Sequence, residues 1–263
     1  MKITSLLYHD VVTEGNFEES GFMGNGPNSY KLDETSFCDH LSKAAGNLKG
    51  QGEFFKTFLR NGQVESHDIQ LITFDDGGVS FITRIAPLLE KELIQGVFFI
   101  STKFIGQKGF LNGDQIRSLA ERGHIIGSHS HSHPERISAL TYQQVLNEWK
   151  ESKVILEEIL GEEVNTASIP GGFFSNEVAR SAQEAGYKVL FTSEPTNTCY
   201  YIGDCMITGR YSIKRGDSGN KAEQIVKGSA IFRIKQFLFW NLKKVVKKVL
   251  GDSYLSLRKK LIK

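Results

Sequence analysis

The chain is poor in cysteine, in long apolar runs and, past its midpoint, in histidine, and each shortage removes a class of explanation. Its three cysteines, Cys38, Cys199 and Cys205, are an odd number with no Cys-x-x-Cys pair, which argues against a disulfide framework. Reduced, partly buried thiols of a cytosolic protein are expected instead. No run of 18 apolar residues occurs, and the first 20 residues hold no apolar leader core. Neither a spanning helix nor a secretory signal is therefore expected. No histidine follows His133. Acid is scarce at one end as well: residues 227–263 contain eleven Lys or Arg against the single Asp252.

That last imbalance leaves the tail at +10 and the remainder, with 21 basic and 29 acidic residues, at −8. A basic tail on an acidic body suggests a partner or a surface for the tail. Nucleic acid is not expected, because the body is acidic and shows no base-reading motif. The chain has 263 residues, 40% of them hydrophobic and 24% charged. It can bury one large core, and α/β barrels of this size form single domains.

Apolar runs and helical stripes alternate along the chain. Strands are expected at 2–8, 69–74, 96–101, 124–128, 166–169, 188–192 and 205–208. Helices are expected near 36–46, 79–92, 112–122, 141–160 and 175–185. Val79, Ile82, Ile85, Ala86 and Leu89 keep a helical stripe, Thr141-x-x-Gln144 is a capping box, and Ser175 opens a further helix. Repeated strand–helix units favour parallel strands, with the chemistry at their C-terminal ends. Residues 13–30, with four glycines, read as a long loop over the barrel mouth.

The chemistry is concentrated in two short segments. Thr73-Phe74-Asp75-Asp76-Gly77-Gly78 follows the apolar run Ile69–Ile72, and His129-Ser130-His131-Ser132-His133 follows Gly127. A strand ending in Asp-Asp-Gly brings two acids to one rim, and the glycines let the chain turn so that both reach one cavity. His129 and His133 are four apart, a spacing that stacks side chains in a helical turn. Two imidazoles and one carboxylate around an open position make a catalytic zinc-type site, leaving the second carboxylate free to act as a base. Alone, Asp-Asp-Gly is a common turn and the histidine run a polar loop. Their combination is what points to a metal. His9 ends the first strand at the same rim and is a candidate acid or substrate contact, or else a hydrogen-bonded structural residue. His131 alternates away from its neighbours and is expected outside the ligand set.

These segments resemble the polysaccharide deacetylases of carbohydrate esterase family 4. So do the opening strand Leu6-Leu7-Tyr8-His9-Asp10-Val11-Val12, Ala185-Gly186-Tyr187 leading into Leu190-Phe191-Thr192, and Arg210-Tyr211-Ser212-Ile213. The resemblance covers about residues 1–215. It implies an incomplete (β/α)7-type barrel, Asp75 as catalytic base, and Asp76, His129 and His133 as ligands of a divalent metal, zinc being expected. It further implies Pro170, Gly171, Gly172 and Arg210 along a groove for an N-acetylated glycan or sugar precursor. Two departures stand out: the family's Arg before the Pro is Ser168 here, and its aromatic after the Pro is Gly171. The late histidine that serves as acid in many members has no counterpart. Deacetylation of a glycan is the expected activity; hydrolysis of a non-sugar amide, or glycan binding with weak turnover, are the alternatives.

The domain is expected to span 1–220, with 221–263 as a basic amphipathic extension. Leu242, Val245, Val246 and Val249 share one helical face and Lys243, Lys244, Lys247 and Lys248 the other. Ile231, Ile234 and Leu238 continue the apolar stripe, widened by Phe237, Phe239 and Trp240. Such a helix either packs this stripe on the barrel or lies on an anionic membrane surface at the inner face.

Overall fold

Short runs with apolar residues on both parities bury both faces of the central strands, and the chain assembles these into one curled sheet. The computed structural model describes residues 1–61 and 68–250, with side chains as far as Leu242. In chain order the strands are β1 (Ile3–Tyr8), β2 (Val11–Val12), β3 (Leu32–Asp33), β4 (Ile69–Phe74), β5 (Val97–Ile100), β6 (Ile125–Ser128), β7 (Thr166–Ser168), β8 (Val189–Phe191), β9 (Tyr200–Ile202), β10 (Cys205–Thr208) and β11 (Tyr211–Ser212). One sheet runs β11-β1-β4-β5-β6-β7-β8-β10-β9, parallel except for the edge pair β9–β10, while β2 and β3 pair by themselves. A bridge from Lys2 to Thr198 ties the start of β1 to the segment before β9, so the sheet curls its two ends together. This is the expected incomplete α/β barrel.

The helices are α1 (Asn25–Asn28), α2 (Glu34–Leu48), α3 (Gln51–Asn61), α4 (Ala86–Lys91), α5 (Gly113–Glu121), α6 (Tyr142–Leu160), α7 (Asn176–Glu184), α8 (Gly219–Val226) and α9 (Ala230–Leu250). The reciprocal Thr141–Gln144 box caps α6, and the Ser175 side chain caps α7 through Val178 N–H. The expected helix at 79–92 forms as a π turn, Phe81–Ile85, leading into α4.

Side-chain parity separates two cores. Ile3, Ile69, Leu71, Val97, Phe99, Ile125, Val189, Phe191 and Met206 point into the barrel, where Phe55, Phe58 and Leu59 of α3 pack against them. Their strand neighbours Leu6, Ile72, Phe98, Ile126, Leu190 and Ile207 face outward under the helices. A period of two then carries the inward rows toward the strand C-termini. They arrive at His9, Asp75, His129, Ser168 and Arg210. At Gly127 a Cβ would lie 2.6 Å from the Phe99 ring and 2.9 Å from Thr166, so only glycine leaves room for that inward aromatic.

Helix α8 straddles the boundary expected at residue 220. It buries Ala222, Ile225 and Val226 in the outer core, so the barrel domain continues through it. Helix α9 follows, as the stripe predicts. The side chains of Val245, Val246, Val249, Lys243, Lys244, Lys247 and Lys248 lie outside the described residues.

Candidate active site

Five strand ends converge on one rim. Asp75 continues the inward row Ile69-Leu71-Thr73 and is 3% exposed. Parity would send Asp76 to the opposite face. Instead Asp76 has φ 90 and Gly77 φ 94, and this reversal brings the second carboxylate back to the same cavity. The expectation that the glycine pair makes the turn is corrected here: the turn begins at Asp76 itself. Gly78 has another task, since a Cβ there would lie 1.9 Å from Asp10 Oδ1. Asp10 is buried and accepts from the hydroxyls of Ser20 (2.6 Å) and Ser80 (2.7 Å), fixing the loop over the mouth.

His129 and His133 do not stack in a helical turn. They lie in an irregular loop after β6, with Ser130 at φ 63 and His133 at φ 52. Among the described residues, three of the four non-glycine residues at positive φ are Asp76, Ser130 and His133. Such conformations cost about 1–3 kcal/mol each, and they concentrate where a site demands them. The result is a close cluster: Asp76 Oδ1 lies 3.4 Å from both His129 Nε2 and His133 Nε2. One donor atom from each of these three residues falls within 4.8 Å of the others. His129 Nδ1 lies 3.0 Å from the carbonyl oxygen of Ser168. A hydrogen bond donated there leaves the Nε2 lone pair turned into the cluster, the arrangement common to metal-binding histidines. The donor set, two imidazoles and a carboxylate, suits a divalent ion. His131 points elsewhere, Nδ1 3.0 Å from Thr102 Oγ1 and Nε2 3.4 Å from Glu151.

Electrostatics matches the geometry. Burial works against ionising Asp76, yet its contacts with His129 and His133 and the charge of His9 hold it well below the usual carboxylate range. Burial pulls His133 down, but the Asp76 hydrogen bond and the charges of Asp76 and Asp75 outweigh it and raise the imidazole above its ordinary value. For Asp75, burial is again opposed, here chiefly by Arg210 and then His129, and the carboxyl ends below its ordinary value.

Arg210 is where the sequence reading needs correction. It was expected to line the substrate groove, but its side chain has no exposed surface. Its guanidinium grips Asp75 with both terminal nitrogens, Nη1 to Oδ1 at 2.6 Å and Nη2 to Oδ2 at 2.8 Å. Nε donates to the Thr192 carbonyl (3.0 Å), Nη1 also to Thr73 Oγ1 (3.3 Å) and Nη2 also to Ser168 Oγ (2.6 Å). All five donors are thus used. Phe99 and Phe191 flank the guanidinium at 5.4 and 5.8 Å.

Ser168, the position at which a family arginine is absent, is therefore the contact point of an arginine arriving from the end of β10. A similar substitution occurs in the Pro170–Gly172 turn. A Cβ on Gly171 would lie 3.1 Å from the Phe173 ring, so Phe173 stands where a side chain at 171 would begin. Pro170 is buried, and Gly171 (φ 60) and Gly172 (φ 67) both need the left-handed region. His9 lies half-buried with its ring 4.9 Å from Tyr30. Its buried Nδ1 has no hydrogen-bond partner among the described residues. The loop at 13–30 does reach the site, for Phe22 packs 4.8 Å from the His133 ring. Phe22 and Phe173 escaped the sequence reading; both lie in loops, where no periodicity marks a side chain's direction.

Comparison with known proteins joins this geometry to a family. The polysaccharide deacetylase family profile matches residues 63–190, which contain both acids, all three clustered ligands and the 170–172 turn. Over this segment the chain belongs to the polysaccharide deacetylase family. Within it, the chain is 33% identical over 137 residues to the Bacillus subtilis protein YxkH, covering 52% of this chain and 49% of that one. It is 30% identical over 124 residues to the Bacillus subtilis peptidoglycan-N-acetylmuramic acid deacetylase PdaA, covering 46% and 45%. The chain thus spans about half the length of these curated relatives. The Streptococcus pyogenes deacetylase PplD superposes with a TM-score of 0.64 at 20% identity, over 86% of this chain and 98% of that one. IcaB from Ammonifex degensii does so with 0.64 at 19%, over 86% and 96%. These two likenesses concern the fold. Arg210 lies beyond the matched segment.

Proposed function

We propose that this deacetylase-family chain hydrolyses the N-acetyl group of a glycan or sugar precursor, in polysaccharide biosynthesis, using a divalent ion held by Asp76, His129 and His133. Zinc is the ion that such a donor set favours. When bound, it polarises the acyl carbonyl and makes its water acidic. The observation carrying this reading is Asp75, an ionised carboxylate whose Oδ2 stands 3.7 Å from His129 Nε2 at the edge of the ligand cluster.

Asp75 takes the proton of the attacking water. Arg210 holds the carboxylate in one orientation throughout. A backbone N–H of the turn at 170–173 is assigned to the charge developing on the acyl oxygen. His9 is assigned the acid role: it occupies the same inward rim, and its charge acts on both carboxylates. The proton it delivers allows the C–N bond to break with the free amine as leaving group. Localisation in the cytoplasm is part of the same proposal.

Metal-loaded protein should release acetate from N-acetylated glycans or sugar precursors. Asp75→Asn should abolish release while keeping the metal, and His9→Ala should slow it. Full activity in Asp75→Asn would refute the base assignment. A panel of non-sugar amides separates that rival substrate class. The missing late histidine favours a second reading, glycan binding without turnover; metallated protein that binds glycans yet releases no acetate would establish it. Arg210 and Phe173, standing at the two altered positions, support turnover.

A further inference from the structure

Helix α9 is attached to the barrel by the wrong face for a simple packing helix. Arg233 Nη2 donates to Thr4 Oγ1 (3.0 Å) and to the Ile225 carbonyl (3.1 Å), Gln236 Nε2 to the Ser212 carbonyl (3.3 Å), and Phe232 packs against the outer core. At about 100° per residue these three side chains share one side of the helix. Ile231, Ile234, Leu238 and Leu242 lie on the other side, with Phe237 and Phe239 flanking them. All six are 41% to 65% exposed. Elsewhere among the described residues the large exposed apolar side chains are scattered. An apolar row of this density on a surface otherwise well sealed marks a contact with something else.

The direction of the helix relates it to the site. Residue 233 meets Thr4 in β1, and 236 meets Ser212, which pairs with Leu7. Residue 239 then lies 6.0 Å from Lys214 Nζ, which also caps the ring of Tyr30 at 5.3 Å. Tyr30 packs on His9. The helix therefore climbs alongside β1 toward the catalytic rim.

We propose that α9 is an interfacial anchor whose row from Ile231 to Leu242 seats in the headgroup region of an anionic phospholipid bilayer, setting the mouth of the site beside that surface. Charge selects this occupant. Residues 227–263 carry eleven basic groups and one acid, which anionic headgroups attract. A second copy would set two such tails against each other, and the described helices contain no segment long and apolar enough to cross a membrane. Resting on the deacetylase reading, the placement selects N-acetylated sugars that are themselves attached to the membrane.

The test is cosedimentation of the full chain with vesicles of phosphatidylcholine plus phosphatidylglycerol, against phosphatidylcholine alone, at low and high salt. Binding should require the anionic lipid and weaken with salt. The variant I234E/L238E, altered only at exposed positions, should bind more than about tenfold more weakly, with unchanged metal content confirming its fold. Absence of binding to anionic vesicles, equal binding by the variant, or a stable dimer that the variant dissolves would each overturn the proposal. Vesicle binding is read without turnover, so a failure to release acetate would sink the deacetylase reading and leave the anchor standing.

Discussion

At the scale of residues, the pairing of Arg210 with Asp75 decides the character of the site. Both groups are buried and both are fully bonded, so removing either partner leaves an uncompensated charge. Arg210→Ala should lose about 3–5 kcal/mol of stability in a denaturant titration. It should also lose most acetate release while retaining metal, since no ligand is touched. Because Ser168 lies on the same inward row and contacts both groups, an arginine there could take over. Ser168→Arg combined with Arg210→Ser should recover part of the stability that Arg210→Ser loses. No recovery would show that the two positions are not interchangeable. His129→Ala and His133→Ala should each empty the site, whereas His131→Ala should not. Equal losses in all three, measured by metal analysis, would mean the ligand set is misassigned.

At the scale of elements, inward parity is what turns separate strands into one site. Glycine at 127 protects that parity by giving Phe99 its space, and Phe99 in turn flanks the Arg210 guanidinium. Gly127→Ala should therefore destabilise the fold by about 1–3 kcal/mol through overpacking, read as a lowered denaturation midpoint. A change within about 0.5 kcal/mol would mean the ring moves aside freely. The main strands of the sheet were legible because their apolar runs are bounded and alternate with helical stripes. Helix α3, helix α8 and the short strands β9 and β11 were not. Tyr200 and Tyr201 of β9 are exposed, so edge pairing with β10 rather than burial defines that strand.

At the scale of the whole molecule, the ionised groups of the site make stability depend on pH, and a bound ion would add to it. Asp75 and Asp76 have lowered values, so their contribution is present above about pH 4 and is lost as pH falls through those lowered values. His133 is raised, so its contribution is complete below about pH 6.5 and is lost as pH rises through its elevated value. Buried His40 and His124 have lowered values and act in the opposite sense, so the His133 share is read as a difference. From pH 6 to pH 8, metal-free protein should lose melting temperature relative to metal-free His133→Gln, by scanning calorimetry. Metal binding requires the neutral imidazole, so zinc should bind more weakly as pH falls below the raised His133 value. Ion addition should raise the melting temperature more at the higher pH. The same pH 6 to pH 8 change in wild type and in His133→Gln would contradict the His133–Asp76 coupling.

The local order of residues was enough to reveal the family likeness, the acid pair, the histidine pair and the barrel's main elements, because each depends on neighbours within a few positions. It also disclosed the amphipathic tail. What it could not disclose was direction in space. Arg210 reads as a groove residue beside Tyr211, and only the curled sheet carries it across 135 positions to Asp75. The stripe on α9 suits a core or a membrane equally well in one dimension. Packing through Phe232, Arg233 and Gln236 turns it outward, since a helix has one face to give the barrel and that face was already taken.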